Sequence, residues 1–504
     1  MAGARTEKEK RIARLCLLWN IPERRLIYIA YAAGRGSCYR RQIPTLRHRS
    51  IEIDAPPGAS LEFLKPSQTY LTPVLVHKKG DSMSIPQNFP RTVSIVVLAL
   101  AFLQPRTAQA DAVTDWNELA NTVLLNVARG NVPSIIDLAY VHVAIYDAVN
   151  AIDRHHSVFA VVPRSPTHEA SRDAAAAAAA YTVLKSLFPT QQAYLDTVYS
   201  NYLLSLNTGI ARGVAVGAEV ATTLLALRAG DGRNANVPYD FLPPGAGVYQ
   251  ITPGAPPPPA TPAAPWIAKM KPFAIESPSQ FRAYGPPNLT SAQWAADFNE
   301  TKQFGALNGS RRTPEQTEIG LFFTEAAATQ GSRSLRLFVA AQEHWSVADS
   351  ARLFAQVYVT AADSDISCWD SKYYYNFWRP VTAIRTADID GNDVTQQDPD
   401  WLPLVVTPNH PEYPAAHGCG TGALAYALEE FFGTRKVKFT LTSTAVPGVA
   451  LAEHPFTNTR DIVKEVINAR VYGGMHYRSS VVHGSLIARH VARWVSQRYF
   501  RPVR

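Results

Sequence analysis

Between residues 112 and 230 apolar side chains recur at spacings of three and four. Around Ile135, Leu138, His142, Ile145 and Val149 they form one stripe, and Ala174 to Ala180 is an unbroken run of the strongest helix former. Both features predict helices, and no period-two alternation persists long enough to predict strands. From 236 to 290 prolines crowd the chain, including Pro256 to Pro259. Proline lacks the N–H that a helix or ladder needs, so this stretch predicts a long excursion that interrupts the domain without ending it. Helical patterning returns from Pro314 through Thr360, from Asp370 to Ile384, from Gly420 to Phe432 and from Asp461 onward. The expected class is all-α, a helical bundle. His142 shares the stripe of Leu138 and Ile145 and reads as a core histidine rather than a ligand.

The chain has 504 residues, 46% apolar and 18% charged, enough for a large core in one or two domains. Disorder, collagen and small disulfide scaffolds are excluded. The net charge of +8 sits at one end: residues 1–82 carry 15 basic against 7 acidic side chains, and the remainder carries 34 of each. A neutral main body argues against a nucleic-acid partner. From Met83 the sequence has the form of a secretory leader: Arg91, an apolar run from Val93 to Leu103, then Ala108-Gln109-Ala110 as a cleavage site. That run is shorter than the roughly 20 residues a membrane-spanning helix needs, so no stable membrane anchor is expected. The expected organisation is therefore a disordered, non-native upstream extension at 1–82, a signal peptide at 83–110, and an exported helical domain at 111–504. That domain contains two cysteines, Cys368 and Cys419. A bridge, which would staple two motif segments together, and a pair of buried thiols both remain open.

Three segments carry chemistry. In Ser371–Ile384, Lys372 and Arg379 lie seven residues apart, nearly two helical turns, so both are expected on one face of a helix that Pro380 ends. The flanking Tyr373, Tyr374, Tyr375, Phe377 and Trp378 read as buried, and a buried pair of cations needs an anion. In His410–Gly420, His417 stands among small residues just ahead of a helix expected near Gly420, whose free N–H groups and dipole suit an oxyanion. In the third segment Arg470 precedes a helix end at Gly473-Gly474, with His476 just beyond. Three fixed cations and two histidines converging on one point match a tetrahedral trianion.

In order and spacing, Lys372 to Arg379-Pro380, Pro414-Ala415-Ala416-His417 and Arg470 to His476 resemble the shared signature of vanadium-dependent haloperoxidases and type 2 phosphatidic acid phosphatases. The aromatic flank YYYNFWRPVTAIR and the stretch HPEYP resemble the haloperoxidase branch. The resemblance implies two four-helix bundles and a vanadate cofactor, with His476 as its single protein ligand. Lys372, Arg379, Arg470 and the backbone at Ala416 would neutralise its oxygens, and His417 would serve as acid–base residue. Hydrogen peroxide, polarised by Lys372, and a halide would be the substrates and hypohalous acid the product. Trp369 and His410 fall where the family lines its halide pocket, and the histidine at 410 resembles the bromide-oxidising members.

Two departures from the family pattern bear on binding. Ala415-Ala416 stand where the family usually has Ser-Gly, and losing one hydrogen bond to a charged group costs about 1.5–3 kcal/mol. Ser480 stands where an aspartate often orients the ligand histidine, and Ala469 where a serine often precedes the arginine. A weakened outer shell typically lowers metal affinity about 10–100-fold. Phosphate and vanadate are near-isosteric, so an exported acid phosphatase with His476 as nucleophile is the alternative. A non-catalytic oxyanion-binding helical protein is the third reading. Oligomeric state, a homo-oligomer included, is open.

Overall fold

The computed structural model describes residues 111–252 and 261–503 in full, with the backbone of two short strands nearer the start. Those strands, β1 (Cys16–Leu18) and β2 (Ile27–Ile29), pair antiparallel with Cys16 opposite Ile29, in a unit separate from the helical body. The upstream extension and leader expected at 1–82 and 83–110 otherwise lie outside the described residues.

The helical body begins at Asp111, whose carboxylate accepts the Thr114 N–H while the Thr114 hydroxyl accepts the Asp111 N–H. This capping box starts α1 (Ala112–Asn126). Helix α2 (Asn131–Asp153) is buried on every side from Ser134 to Ala151, as a helix apolar all round must be. His142 lies inside it, stacked on Tyr358 with ring centroids 4.8 Å apart and its Nε2 3.1 Å from Asn117 Oδ1, the core histidine expected. Helices α3 (Arg172–Leu187), which contains the alanine run, α4 (Gln192–Leu204) and α5 (Ile210–Leu227) complete the first group around α2. No α-helix interrupts the described residues between Leu227 and Ala292, which is the Pro-rich excursion.

Helices α6 (Ala292–Gly305), α7 (Pro314–Phe322) and α8 (Ala327–Ala340) lead to α9 (Val347–Tyr375), a single helix of 29 residues. The short α10 (Pro380–Arg385), α11 (Ala416–Phe432), the hairpin β3 (Phe439–Ser443) and β4 (Ala452–Phe456), α12 (Thr459–Tyr472) and α13 (Arg478–Arg498) follow. Helices α9, α11, α12 and α13 make the second group, and α9 also packs along α2, joining the two halves of one core. This is the helical-bundle architecture expected.

Three elements differ from the sequence expectation. Helix α6 was not expected, because its inward face includes Asp297 and Thr301 and so breaks the apolar stripe. Helix α9 was expected to break between Thr360 and Asp370, where Asp363, Ser364, Asp365 and Ser367 interrupt the pattern; all four are buried. Asp363 earns its place by accepting the N–H groups of Phe273, Ala274 and Ile275, which pins the excursion to α9. Asp147 of α2 does the same for Phe159, Ala160 and Val161. The β3–β4 hairpin is the third difference. Its His454 places Nδ1 2.6 Å from Glu465 of α12 and Nε2 3.1 Å from Glu318 of α7, against the ring of Phe322.

His454 makes hairpin docking pH-dependent. Burial opposes its charge, but Glu465 and Glu318 outweigh burial and raise its pKa. A raised value in the folded state contributes stability that is present below the unfolded value near 6.5 and lost as pH rises through the folded one. The stability difference between wild type and His454→Ala, from denaturation at several pH values, should therefore be largest below about pH 6.5 and shrink above it.

Cys368 of α9 and Cys419 of α11 form a disulfide, with Cα atoms 6.4 Å apart across a sequence separation of 51, which settles the alternative left open by the sequence. The chain-entropy account of a loop of that size gives about 4 kcal/mol, and typical measured contributions are about 2–4 kcal/mol. A Cys368→Ser/Cys419→Ser variant should lose stability in that range by urea denaturation.

Candidate active site

The two groups of cations are brought together by breaks in helices. Helix α9 ends at Tyr375, Asn376 turns left-handed at φ 48°, and Arg379 becomes the residue preceding α10. Lys372 and Arg379 therefore do not share a helix face, contrary to the seven-residue reading; the break redirects Arg379 toward the same interior. Of the aromatic flank, Phe377 and Trp378 are buried, whereas Tyr374 is exposed and stacks under Arg282. Helix α12 ends at Tyr472 as expected, and Gly474 takes φ 74°, conformations open to glycine, which turns the chain so that Arg470 and His476 face one point. Helix α11 starts four residues earlier than expected, at Ala416, so His417 lies in its first turn. Its start is pressed onto α13 by two glycines: a Cβ on Gly418 would come 2.4 Å from the Val481 carbonyl, and one on Gly484 2.6 Å from that of Ala415.

Every site residue expected from the sequence, apart from the first-turn Ala416 and His417, is buried. Arg379 donates through Nε to the His410 carbonyl at 2.9 Å and through Nη1 to Met475 O at 3.0 Å and His476 Nε2 at 3.1 Å. Its Nη2 lies 3.0 Å from His410 Nδ1, and the His410 ring stands 5.1 Å from that of Trp369. Arg470 Nη1 donates to His417 Nε2 at 3.0 Å, and the Phe323 carbonyl faces the same imidazole. Lys372 Nζ donates to the carbonyls of Pro411 and Glu412, both at 3.0 Å, and of Pro414. Lys372 thus reaches the cluster as a charge and as a clasp on the 411–414 segment, with its three N–H groups already engaged. The excursion covers the Trp369 side: Ala263 O accepts from the Trp369 indole and the Tyr373 phenol.

Sequence reasoning missed Glu412. Its Oε1 lies 2.7 Å from His476 Nδ1 and accepts the Tyr477 N–H at 3.2 Å, in full burial. The expected loss of an orienting carboxylate at Ser480 is therefore corrected: a carboxylate is present, supplied by another segment. The signal available was the glutamate inside HPEYP, which nothing local connects with a histidine 64 residues on. Asp365 was missed as well. It is buried with no hydrogen-bond partner, and burial holds its carboxyl well above the usual range despite Lys372.

The electrostatics call for an anion. Burial, then the Arg379 charge, presses the Lys372 ammonium well below its usual value, and burial lowers Arg379 to about 10. Burial and Arg379 bring Arg470 to about 9. Burial and the neighbouring cations keep His410, His417 and His476 neutral. Burial raises Glu412 to about 7 against the pull of Arg379 and Lys372. Arg470 leaves Nε and Nη2 without partners, and the residue preceding α11, Ala415, caps none of its N–H groups with a side chain. Orphaned guanidinium donors beside an open helix start are what an oxyanion would satisfy. The donors gathered here are guanidinium and helix-start N–H groups, which suit an oxyanion rather than a bare cation.

Fold and cluster together define a helical-bundle protein with a buried, cation-rich oxyanion pocket. Residues 352–504 match the VCPO second helical-bundle domain. Vanadium chloroperoxidase of Curvularia inaequalis is 28% identical over 209 residues, covering 34% of this chain and 33% of that protein, so the match spans about a third of the curated relative. A crystal structure of the first bacterial vanadium-dependent iodoperoxidase superposes with a TM-score of 0.65 at 22% identity, covering 78% of this chain and 97% of the other. Apo bacterial vanadium-dependent chloroperoxidase gives 0.58 at 17% identity, covering 72% and 92%. These structural likenesses show the fold. Residues 352–504 thus match the second helical-bundle domain, and the chain shares the fold of the vanadium haloperoxidases.

Proposed function

We propose that the chain is an exported, vanadate-dependent haloperoxidase that oxidises halide, bromide in preference, with hydrogen peroxide to hypohalous acid. The observation that carries the reading is Arg470: a buried guanidinium with two unpartnered donors, hydrogen-bonded to His417 and packed in one cluster with Arg379 and His476. Arg379, Arg470, the Lys372 charge and the first N–H groups of α11 would hold vanadate, with His476 Nε2 as the ligand atom. Bound there, vanadate supplies Lewis-acid activation of peroxide. Arg379 donates to His476 Nε2, so Nδ1 carries the proton and donates to Glu412; the Nε2 lone pair, which accepts from Arg379 here, would become available to vanadate once Arg379 turned that donor to an oxygen of the anion. Oxidation of halide by peroxide to hypohalous acid and water consumes one proton. His417 stands where it can hold that proton once a bound anion offsets the field of Arg470. Trp369 and His410 wall the side covered by the excursion, the place for the halide.

Glu412 also favours a second reading. A carboxylate on Nδ1 equally activates Nε2 as a nucleophile toward a phosphate ester, with His417 protonating the leaving group. A paired assay on the full chain, freed of metal, separates them: dye bromination with peroxide and bromide during vanadate titration, and phosphate-ester hydrolysis with and without vanadate. Vanadate-dependent bromination is expected. Hydrolysis that vanadate inhibits, without bromination, would replace the peroxidase reading by the phosphatase one, and silence in both would leave an oxyanion-binding protein.

A further inference from the structure

The resemblance in the sequence puts the orienting carboxylate one turn after the ligand histidine, on the helix where this chain has Ser480. We infer that Glu412 has taken over this task from a different segment and is the positioning residue that, together with Arg379 on the other ring nitrogen, sets the tautomer and aim of His476. This inference rests on the proposed function.

Four observations carry it. His476 Nδ1 has one partner, Glu412 Oε1 at 2.7 Å, and Glu412 is fully buried. The other ring nitrogen faces a guanidinium, which can only donate, so the geometry allows one tautomer. The carboxylate sits on a backbone held at three places. The Glu412 N–H donates to Phe377 O at 2.8 Å, and Lys372 clasps the carbonyls of Pro411, Glu412 and Pro414. The next residue, Tyr413, accepts the Gly285 N–H at 3.1 Å and lies 2.6 Å from His483 Nδ1. Finally, the Ser480 hydroxyl lies beside the Glu412 carboxyl without a well-formed bond, so position 480 points at the space Glu412 fills. One consequence concerns Lys372. By holding the 411–414 segment it positions His476 through Glu412, in addition to its charge.

The test uses the full chain labelled with ¹⁵N-histidine, in wild type, Glu412→Gln, Glu412→Ala and Glu412→Ala/Ser480→Asp. Vanadate affinity is measured by titration calorimetry, the His476 tautomer by ¹⁵N chemical shifts, and folding by near-ultraviolet circular dichroism. Both single variants should weaken vanadate binding by about 10–100-fold, the scale of outer-shell losses at metal ligands. In Glu412→Ala the Nδ1–H loses its acceptor and the His476 ¹⁵N shifts should move, whereas in Glu412→Gln an amide oxygen replaces the charged acceptor and the Nδ1 shift should register the weaker bond. The double variant, with a carboxylate returned from α13, should recover most of the affinity and the wild-type ¹⁵N shifts. Glu412→Gln keeps the side-chain volume and carries the test should Glu412→Ala not fold. Wild-type affinity together with wild-type ¹⁵N shifts in Glu412→Gln would overturn the inference. If wild type binds neither vanadate nor phosphate, the functional reading fails, and the ¹⁵N shifts still decide whether Glu412 sets the tautomer.

Discussion

Replacing His476 with alanine is expected to abolish vanadate-dependent bromination and to leave the fold intact. The imidazole presents the lone pair of Nε2 to Arg379 inside the cation cluster, and its proton is committed to Glu412. Removing it takes away the ligand atom in the peroxidase reading and the nucleophile in the phosphatase reading. Activity of either kind should fall by roughly three orders of magnitude or more, the scale seen when a nucleophile or a principal oxyanion donor is removed. Bromination rates with saturating vanadate, compared between wild type and His476→Ala, check this. A variant retaining a tenth of wild-type activity, about 1.4 kcal/mol of barrier, would move the chemistry to another residue.

Arg470→Met is expected to separate stability from function. The arginine is buried, two of its donors have no partner, and burial has already driven its pKa down to about 9. A buried charge without a full set of partners is a liability in the anion-free protein, and exchanging such charges for apolar side chains of similar volume is neutral or stabilising by about 1–4 kcal/mol. The anion loses a charge-assisted donor pair in the same step, which costs about 2–5 kcal/mol of affinity. Thermal unfolding with and without vanadate reads both quantities, because a ligand stabilises the folded state according to its concentration relative to Kd. Arg470→Met should unfold at or above the wild-type temperature without vanadate and show a much smaller upward shift with it. A variant less stable than wild type, with an undiminished vanadate shift, would remove Arg470 from the pocket.

The elements easiest to read from the sequence were those whose evidence is local. The stripe through Ile135, Leu138, Ile145 and Val149 and the alanine run need only a period of 3.6 to declare themselves helical. The helix end at Gly473-Gly474 needs only the conformational freedom of glycine. Local evidence failed where burial was compensated by a distant partner. Asp363 looked like a helix interruption, because the three amides that satisfy it lie about ninety residues away. Likewise, α6 was lost among loops because Asp297 and Thr301 occupy its inner face.

The site shows the same division. The sequence by itself determined the residue types and their order: three cations, two histidines and the small residues at an uncapped helix start, a set whose charge calls for an oxyanion. Only the tertiary structure decided how they meet. The left-handed Asn376 redirects Arg379, where the seven-residue spacing had suggested a shared face. The glycine contact of α11 with α13 brings the open helix start into the core. Above all, folding places Glu412 on His476, 64 residues away, and so supplies the carboxylate that the local sequence lacks at Ser480. Charge type is a property of each side chain. Tautomer, pKa and hydrogen-bond partner are properties of the surroundings, and in a buried pocket distant segments provide those.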